Sequence, residues 1–439
     1  MDKHLIIVIL LNLLIIVSVF SSFYPVGSDE AFYANTARDL LAGKGYTGNI
    51  IAPGFSYILS VFYVLFGQNG VAERLIAPIF TMLSSIVLYF LSRRHLEGKW
   101  SLLSVILFFT LPLTILLSSR MLTEPVAMFF FLLSLYFFSK YTEGKNINLI
   151  PAAIFAAIAV LIRYPSVLLI GIFAIYFVIN RNKIIPLLKD KIFYLAILAG
   201  ILVISPLLFL SQINYASPLH MISAAFTSYY TSTGFNPLFY LLTFPLVSAG
   251  LFPLFILSIY SVYRTRDRRY LWLILSVAFL VLYRSLFLPI HEERYLVDIL
   301  PFISILSVLP LIHLQKYIKK SFMLPILLSI IILFNTIFGI FISDYYHSLP
   351  RYTEVKSGIE WTEKNCSGQD IFTNAARHYK YYTGKDVEVL NLDKIKVSKS
   401  YCLLYTSYEG SIGYIEEFLK GKTPSVKFGQ VEIFREINQ

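Results

Sequence analysis

The chain has 439 residues, of which 57% are hydrophobic and 14% charged, with a formal net charge of +11. So low a charged fraction, roughly half that of an ordinary soluble domain, and recurrent apolar runs such as Leu5–Phe20, Ile192–Leu210 and Phe322–Ile342 exclude a soluble globular protein. No run alternates with period two, which excludes an outer-membrane barrel.

In a hydrocarbon core each run must satisfy its own backbone polar groups, so each is expected as a helix. The first, 5–23, follows Lys3 and His4, exceeds a signal-peptide core in length and precedes no small-residue cleavage pattern. It reads as an uncleaved span. A long external stretch, 24–70, comes next. Ser28 is read as the N-cap of a helix over Ala31–Leu41, with Asp29 and Glu30 suiting its dipole and Gly43 and Gly45 stopping it. Pro53 opens a second apolar helix, Phe55–Phe66, expected to lie along the membrane surface or to re-enter it, being too short to cross comfortably. Further spans are expected at 71–92, 101–119, 123–139, 149–163, 165–180, 192–212, 238–263, 270–288, 296–314 and 322–343, making about eleven in all. The stretch 213–236 has no Lys or Arg and reads as an outer loop.

With that count, Lys3 and the basic clusters at 93–99, 140–145, 181–191, 264–269 and 316–320 all fall on one side, while the opposite connections are nearly balanced. The positive charge is therefore a topology signal, not a nucleic-acid footprint. It places the N-terminus in the cytoplasm and the tail outside.

From Asp344 the composition turns polar. Helices are expected over Tyr352–Asn365, Ala375–Thr383 and Tyr414–Leu419, strands over Asp370–Thr373, Val387–Leu390 and Tyr401–Tyr405, and a hairpin over Val426–Arg435 around Gly429. This describes a small α/β layered domain. Cys366 and Cys402 both lie in it, where a disulfide is permitted but two cysteines alone do not establish one. Asn365-Cys366-Ser367 is a glycosylation sequon. The expected fold is thus an all-α polytopic membrane bundle, 1–343, which includes the 24–70 loop with its interfacial helices, followed by an extracytoplasmic α/β domain, 344–439.

Ionisable groups near membrane depth are costly and so mark functional candidates. Here they are Asp29 and Glu30 after the first span, Glu124 heading the fourth, Arg163 between the fifth and sixth, and His291-Glu292-Glu293-Arg294-Tyr295 between the ninth and tenth. Plainer roles compete, since Arg163 can snorkel to an interface and Asp29 and Glu30 can simply cap a helix.

Asp29-Glu30-Ala31-Phe32-Tyr33, then Ala37-Arg38-Asp39-Leu40-Leu41 and a Gly-rich turn, resemble the first external loop of GT-C glycosyltransferases. The likeness is strongest to the branch of protein O-mannosyltransferases and lipid A aminoarabinose transferases. Glu73-Arg74-Leu75, Thr123-Glu124-Pro125 and Arg294-Tyr295-Leu296 with Leu300-Pro301 continue it. Ile51-Ala52-Pro53-Gly54 stands where many bacterial relatives carry Lys-Pro-Pro.

The resemblance implies a GT-C-like bundle that inverts configuration while moving a sugar from a polyprenyl-phosphate carrier to an acceptor hydroxyl on the outer face. The acceptor is a protein, glycan or lipid, and membrane lipids surround the site. In that reading Asp29 is the catalytic base, and Arg294 or Arg163 receives the leaving phosphate. Glu124 orients the acceptor or, with His291, holds a divalent metal ion, the one candidate cofactor. Glu30, Tyr33, Glu292 and Tyr295 complete the substrate-binding set. The competing readings are a transporter or flippase, which would place its acids at mid-depth on broken helices, and a lipid-linked oligosaccharide ligase, which would take a diphosphate carrier.

Overall fold

Apolar helices dominate the first three-quarters of the chain. The structure, a computed structural model, describes residues 26–228, 236–317, 323–398, 400–409 and 413–437 except 48, 49 and 289, together with 6, 7 and 10. The first expected span lies almost wholly outside these residues. The chain divides into two compact units, Met1–Ser21 with Gly48–Ser343 and Ser22–Thr47 with Asp344–Gln439.

In the membrane unit, seven described helical segments are long and apolar enough to cross a bilayer, and nine are if each of two bent pairs is one span. The chain is a multi-pass membrane protein. The expected 101–119 span is in fact two helices, Gly98–Thr110 and Pro112–Ser118, bent by 67°. Pro112 cannot continue the hydrogen-bond ladder of the preceding turn, so the chain breaks at Leu111 and restarts with proline in the first turn. The expected 165–180 span is a 3-10 turn, Tyr164–Leu168, running into Leu169–Ile179, and the path then bends by 102° into Arg181–Lys189. Within the expected outer loop, His220–Ser228 is helical, and 229–235 lie outside the described residues.

Helix Thr123–Thr142 packs on Gly70–Ser92 and Leu149–Ile162, and Lys191–Tyr215 lies against Leu149–Ile162. The segment Glu293–Gln315 is largely buried, whereas Lys191–Tyr215 bares Leu198, Ile201, Leu202 and Phe209, as a lipid-facing helix should. The short helix Gly54–Phe66 buries Phe55, Leu59 and Tyr63 and exposes Val61, Val64 and Leu65. Tyr63 donates to Glu73 Oε1 at 2.6 Å. Glycine is required at 54, because a Cβ there would meet Leu161 O at 2.7 Å.

The second unit is a three-layer sandwich. Strands β1 (Asp370–Thr373), β2 (Glu388–Val389), β3 (Ser400–Thr406), β4 (Val426–Phe428) and β5 (Val431–Ile437) form one sheet in the order β2-β1-β3-β5-β4. β1 runs parallel to β2 and β3, and β5 pairs antiparallel with β3 and β4, closing the hairpin expected around Gly429. Alternation along β3 fills both cores. Cys402 and Leu404 meet Val355, Ile359 and Tyr379 on one face, while Tyr401, Leu403 and Tyr405 meet Ile395, Ile415 and Leu419 on the other. A helix not expected from the pattern, Leu392–Val397, is capped by Asn391, whose side chain accepts from the Asp393 and Lys394 amides. Cys366 and Cys402 are joined by a disulfide across 36 residues. In the chain-entropy account such a closure stabilises by about 4 kcal/mol.

Helix Ser28–Leu41 belongs to this unit and packs on helix Ala376–Thr383. Its N-cap is Gly27 rather than the expected Ser28, because Glu30 reaches back so that its Oε2 accepts the Gly27 amide at 2.7 Å.

Candidate functional site

Glu124 sits in the first turn of helix Thr123–Thr142, where amide donors point outward and a carboxylate is favoured. It is 1% exposed. Arg163 ends helix Leu149–Ile162 in an extended conformation just before the Tyr164–Leu168 turn, which turns its side chain inward at 6% exposure. Glu292, Arg294 and Tyr295 come from the irregular entry to the buried Glu293–Gln315 segment. These three elements meet at one point. Arg163 Nη2 donates to Glu124 Oε1 at 3.2 Å, and Arg294 Nε lies 3.7 Å from the same oxygen. Arg294 also pairs with the half-exposed Glu292. The Arg163 guanidinium lies over the Tyr295 ring, 4.5 Å from its centroid, a cation–π contact.

Two donors converge on one carboxylate oxygen, and one is left over. Arg163 Nη1 is buried and has no hydrogen-bond partner among the described residues. Such a group costs free energy unless a ligand meets it. The arrangement is a built donor for an anionic oxygen, held by an acid beneath and an aromatic face beside it.

A second buried pair lies close by, and the residue patterns did not single it out. Arg284 Nη2 donates to Asp298 Oδ2 at 2.6 Å, with both side chains at most 5% exposed. Both residues fall inside expected spans, and that was the available signal. Tyr240 donates to the Ile290 carbonyl and so fixes the start of the same segment. The His291 ring lies against Phe239, with centroids 5.0 Å apart and planes tilted by 53°, and no described hydrogen bond or ion pair joins it to Glu124. Among the described residues no group of three or more His, Cys, Asp or Glu is placed to hold a metal ion.

The acids of the first loop belong to the other unit. Asp29 is half-buried in the first turn of Ser28–Leu41, and Glu30 and Tyr33 are buried on that helix. Ser28 Oγ donates to Glu409 Oε2 at 3.0 Å, and His378 Nδ1 lies 3.4 Å from the other Glu409 oxygen. Further along, Asn35 donates to the Arg377 carbonyl at 2.8 Å, Arg38 to the Tyr381 carbonyl at 3.0 Å, and Lys380 lies 2.7 Å from Asp39. Burial pushes the Asp39 carboxyl up, but hydrogen bonds and charge from Lys380 and Lys44 outweigh it and hold Asp39 below the usual carboxylate range. Burial pushes Glu409 up, and it drives His378 down to about 4. The Arg38-Asp39 part of the first-loop motif therefore serves docking within this unit.

Residues 51–209 match the family described as dolichyl-phosphate-mannose-protein mannosyltransferase. An uncharacterised protein of Aquifex aeolicus is 29% identical over 187 residues, a match spanning 38% of this chain and 37% of that relative. Among solved structures, ArnT from Cupriavidus metallidurans bound to undecaprenyl phosphate superposes with a TM-score of 0.74 at 12% identity, covering 98% of this chain and 97% of that one. The oligosaccharyltransferase AglB from Archaeoglobus fulgidus, in complex with an inhibitory peptide and a dolichol-phosphate, superposes with a TM-score of 0.62 at 10% identity, covering 95% and 71%. Residues 51–209 are thus similar to that mannosyltransferase family, and the chain shares the fold of the ArnT and AglB structures over almost its whole length.

Proposed function

We propose that this protein transfers a sugar, with inversion, from a polyprenyl-phosphate carrier to an acceptor hydroxyl at the extracytoplasmic face. The observation that carries the reading is the unpartnered Nη1 of buried Arg163 beside Arg294. The similar ArnT and AglB structures hold undecaprenyl phosphate and a dolichol-phosphate. A lipid phosphate is an anion that two guanidiniums suit, and it leaves with the bonding electrons when the anomeric C–O bond breaks. Glu124 keeps the two arginines in place, and Tyr295 braces Arg163. Glu292, being half-exposed, is the partner that Arg294 exchanges for the phosphate.

The acceptor oxygen attacks the anomeric carbon from the opposite side, and its proton passes to Asp29, the general base. Glu30 and Tyr33 shape the acceptor end of the same helix. The cytoplasmic clusters of basic residues and the Cys366–Cys402 disulfide support an inside N-terminus and an outside tail. A divalent ion at Glu124 and His291 would need further ligands, so no step is assigned to it.

The test is turnover in lipid nanodiscs with a panel of polyprenyl-phosphate sugars and one diphosphate-linked oligosaccharide, scored by release of free lipid phosphate. Release from a monophosphate donor is expected, and Asp29→Asn should abolish it while yield and thermal midpoint stay unchanged. Full activity in that variant, or release from the diphosphate donor alone, overturns the reading.

A further inference from the structure

The helix that carries Asp29 is gripped from end to end by the polar tail. Asn35, Arg38 and Asp39 are spaced three and four apart, which puts them on one helical face. That face meets helix Ala376–Thr383 through the Arg377 and Tyr381 carbonyls and Lys380, and the guanidinium of Arg377 lies 5.0 Å from the Phe32 ring centroid. Three anchors there fix the roll of the helix. Its first turn is tied separately. Ser28, next to Asp29, donates to Glu409, which sits in the turn Ser407–Glu409 directly after β3, the central strand of the sheet.

Glu409 is an odd choice for an anchor. Burial raises its pKa, so the ionised form destabilises the fold at neutral pH. An alanine there would remove that cost. A buried group that lowers stability is kept where function needs its geometry.

Resting on the proposed transfer, we propose that Glu409 is a positioning residue for Asp29, acting through Ser28, and that the tail is thereby part of the catalytic apparatus rather than an appended module. Glu409 sets the azimuth of the first turn, and with it the direction from which Asp29 takes the acceptor proton. Misplacement of a catalytic group by about 1 Å costs about 100-fold in rate.

The test uses the full chain in nanodiscs with the panel donor that is turned over. Glu409→Ala and Ser28→Ala should each lower kcat by about 10- to 100-fold with KM for the donor unchanged. Glu409→Gln keeps an acceptor oxygen for Ser28 and should recover most of that loss. The double variant Ser28→Ala/Glu409→Ala should be no slower than the slower single variant, because both remove one contact. Thermal midpoints at or above the parent's are expected where Glu409 is replaced by alanine, whereas Ser28→Ala alone, which strands the Glu409 carboxylate, should lower the midpoint slightly. Parental kcat in Glu409→Ala, losses that multiply in the double variant, or a loss confined to KM would each overturn the proposal. If Glu409→Ala fails to fold, Ser28→Ala with Glu409→Gln decides it, and parental kcat in Ser28→Ala overturns it. An inactive Asp29→Asn beside a fully active Glu409→Ala removes this inference alone, whereas an active Asp29→Asn removes the transfer reading and this inference together.

Discussion

Glu124 and Asp298 are both buried carboxylates, and each leaves an arginine uncompensated if it is removed. Breaking a buried ion pair from one side costs about 3–5 kcal/mol, because the partner's desolvation is no longer offset. For Asp298→Ala, which would strand Arg284, a loss of that size is expected as a fall in thermal midpoint. The double variant Asp298→Leu/Arg284→Met should recover most of it. A single variant as stable as the parent would show that Arg284 finds another partner. Arg163, Glu124, Arg294 and Tyr295 were each legible as candidates, because costly residues at membrane depth stand out in an apolar sequence. Their meeting point was not legible, since it depends on the helix register at three breaks. Asp298 and Arg284 were missed for a related reason. Each sits inside an expected span, and only the fold shows that they face one another across a turn.

The elements were easier to read than their joints. Helix Gly54–Phe66, the spans Gly70–Ser92 and Thr123–Thr142 and, apart from the short helix Leu392–Val397, the α/β order of the tail follow from periodicity and composition alone. The bends at Leu111 and after Ile179 do not, because a run of apolar residues looks the same whether its axis is straight or broken. The joint at Gly54 shows what packing adds. A Cβ at 54 would meet Leu161 O at 2.7 Å and Leu161 C at 2.8 Å, and backbone atoms cannot swing away as a side chain can. Gly54→Ala should therefore cost about 1–3 kcal/mol through displacement of the short helix. At Gly70 nothing lies within 4 Å of the added Cβ, so Gly70→Ala should stay within about 0.5 kcal/mol of the parent. Thermal melts of the two variants in detergent would check this, and equal midpoints would refute the account of Gly54.

At the scale of the whole molecule, the polar unit holds buried titratable groups outside the membrane spans, and these make its stability depend on pH. Its make-up was half legible. Apart from helix Leu392–Val397, the order of strands and helices in 344–439 is written in the local pattern, but the docking of Ser28–Leu41 onto Ala376–Thr383 joins residues more than 340 positions apart, such as Asn35 and Arg377. No local pattern carries such a pairing. That docking surrounds His378, which is 3% exposed and faces Glu409, Glu30, Asp29 and Arg377. Burial lowers its pKa from 6.5 to about 4, with Arg377 reinforcing the shift and Glu30 and Asp29 opposing it. The folded unit thus holds the imidazole neutral, while the unfolded chain binds a proton below pH 6.5. Stability conferred by His378 is fully present above that pH and is lost as the pH falls towards about 4, by on the order of 2–3 kcal/mol. Glu409, with its raised pKa, works in the opposite sense over the lower part of that window and trims the loss. Asp39, with its lowered pKa, adds a further loss that sets in as the unfolded carboxyl takes up protons, from about pH 5 downwards, and that falls mostly below about pH 4. Hydrogen exchange of the β3 amides in the full chain should therefore report falling protection between pH 6.5 and 4, after correction for intrinsic exchange. His378→Asn should flatten that stretch while leaving the fall below pH 4, and an unchanged slope in the variant would assign the acid sensitivity to other groups.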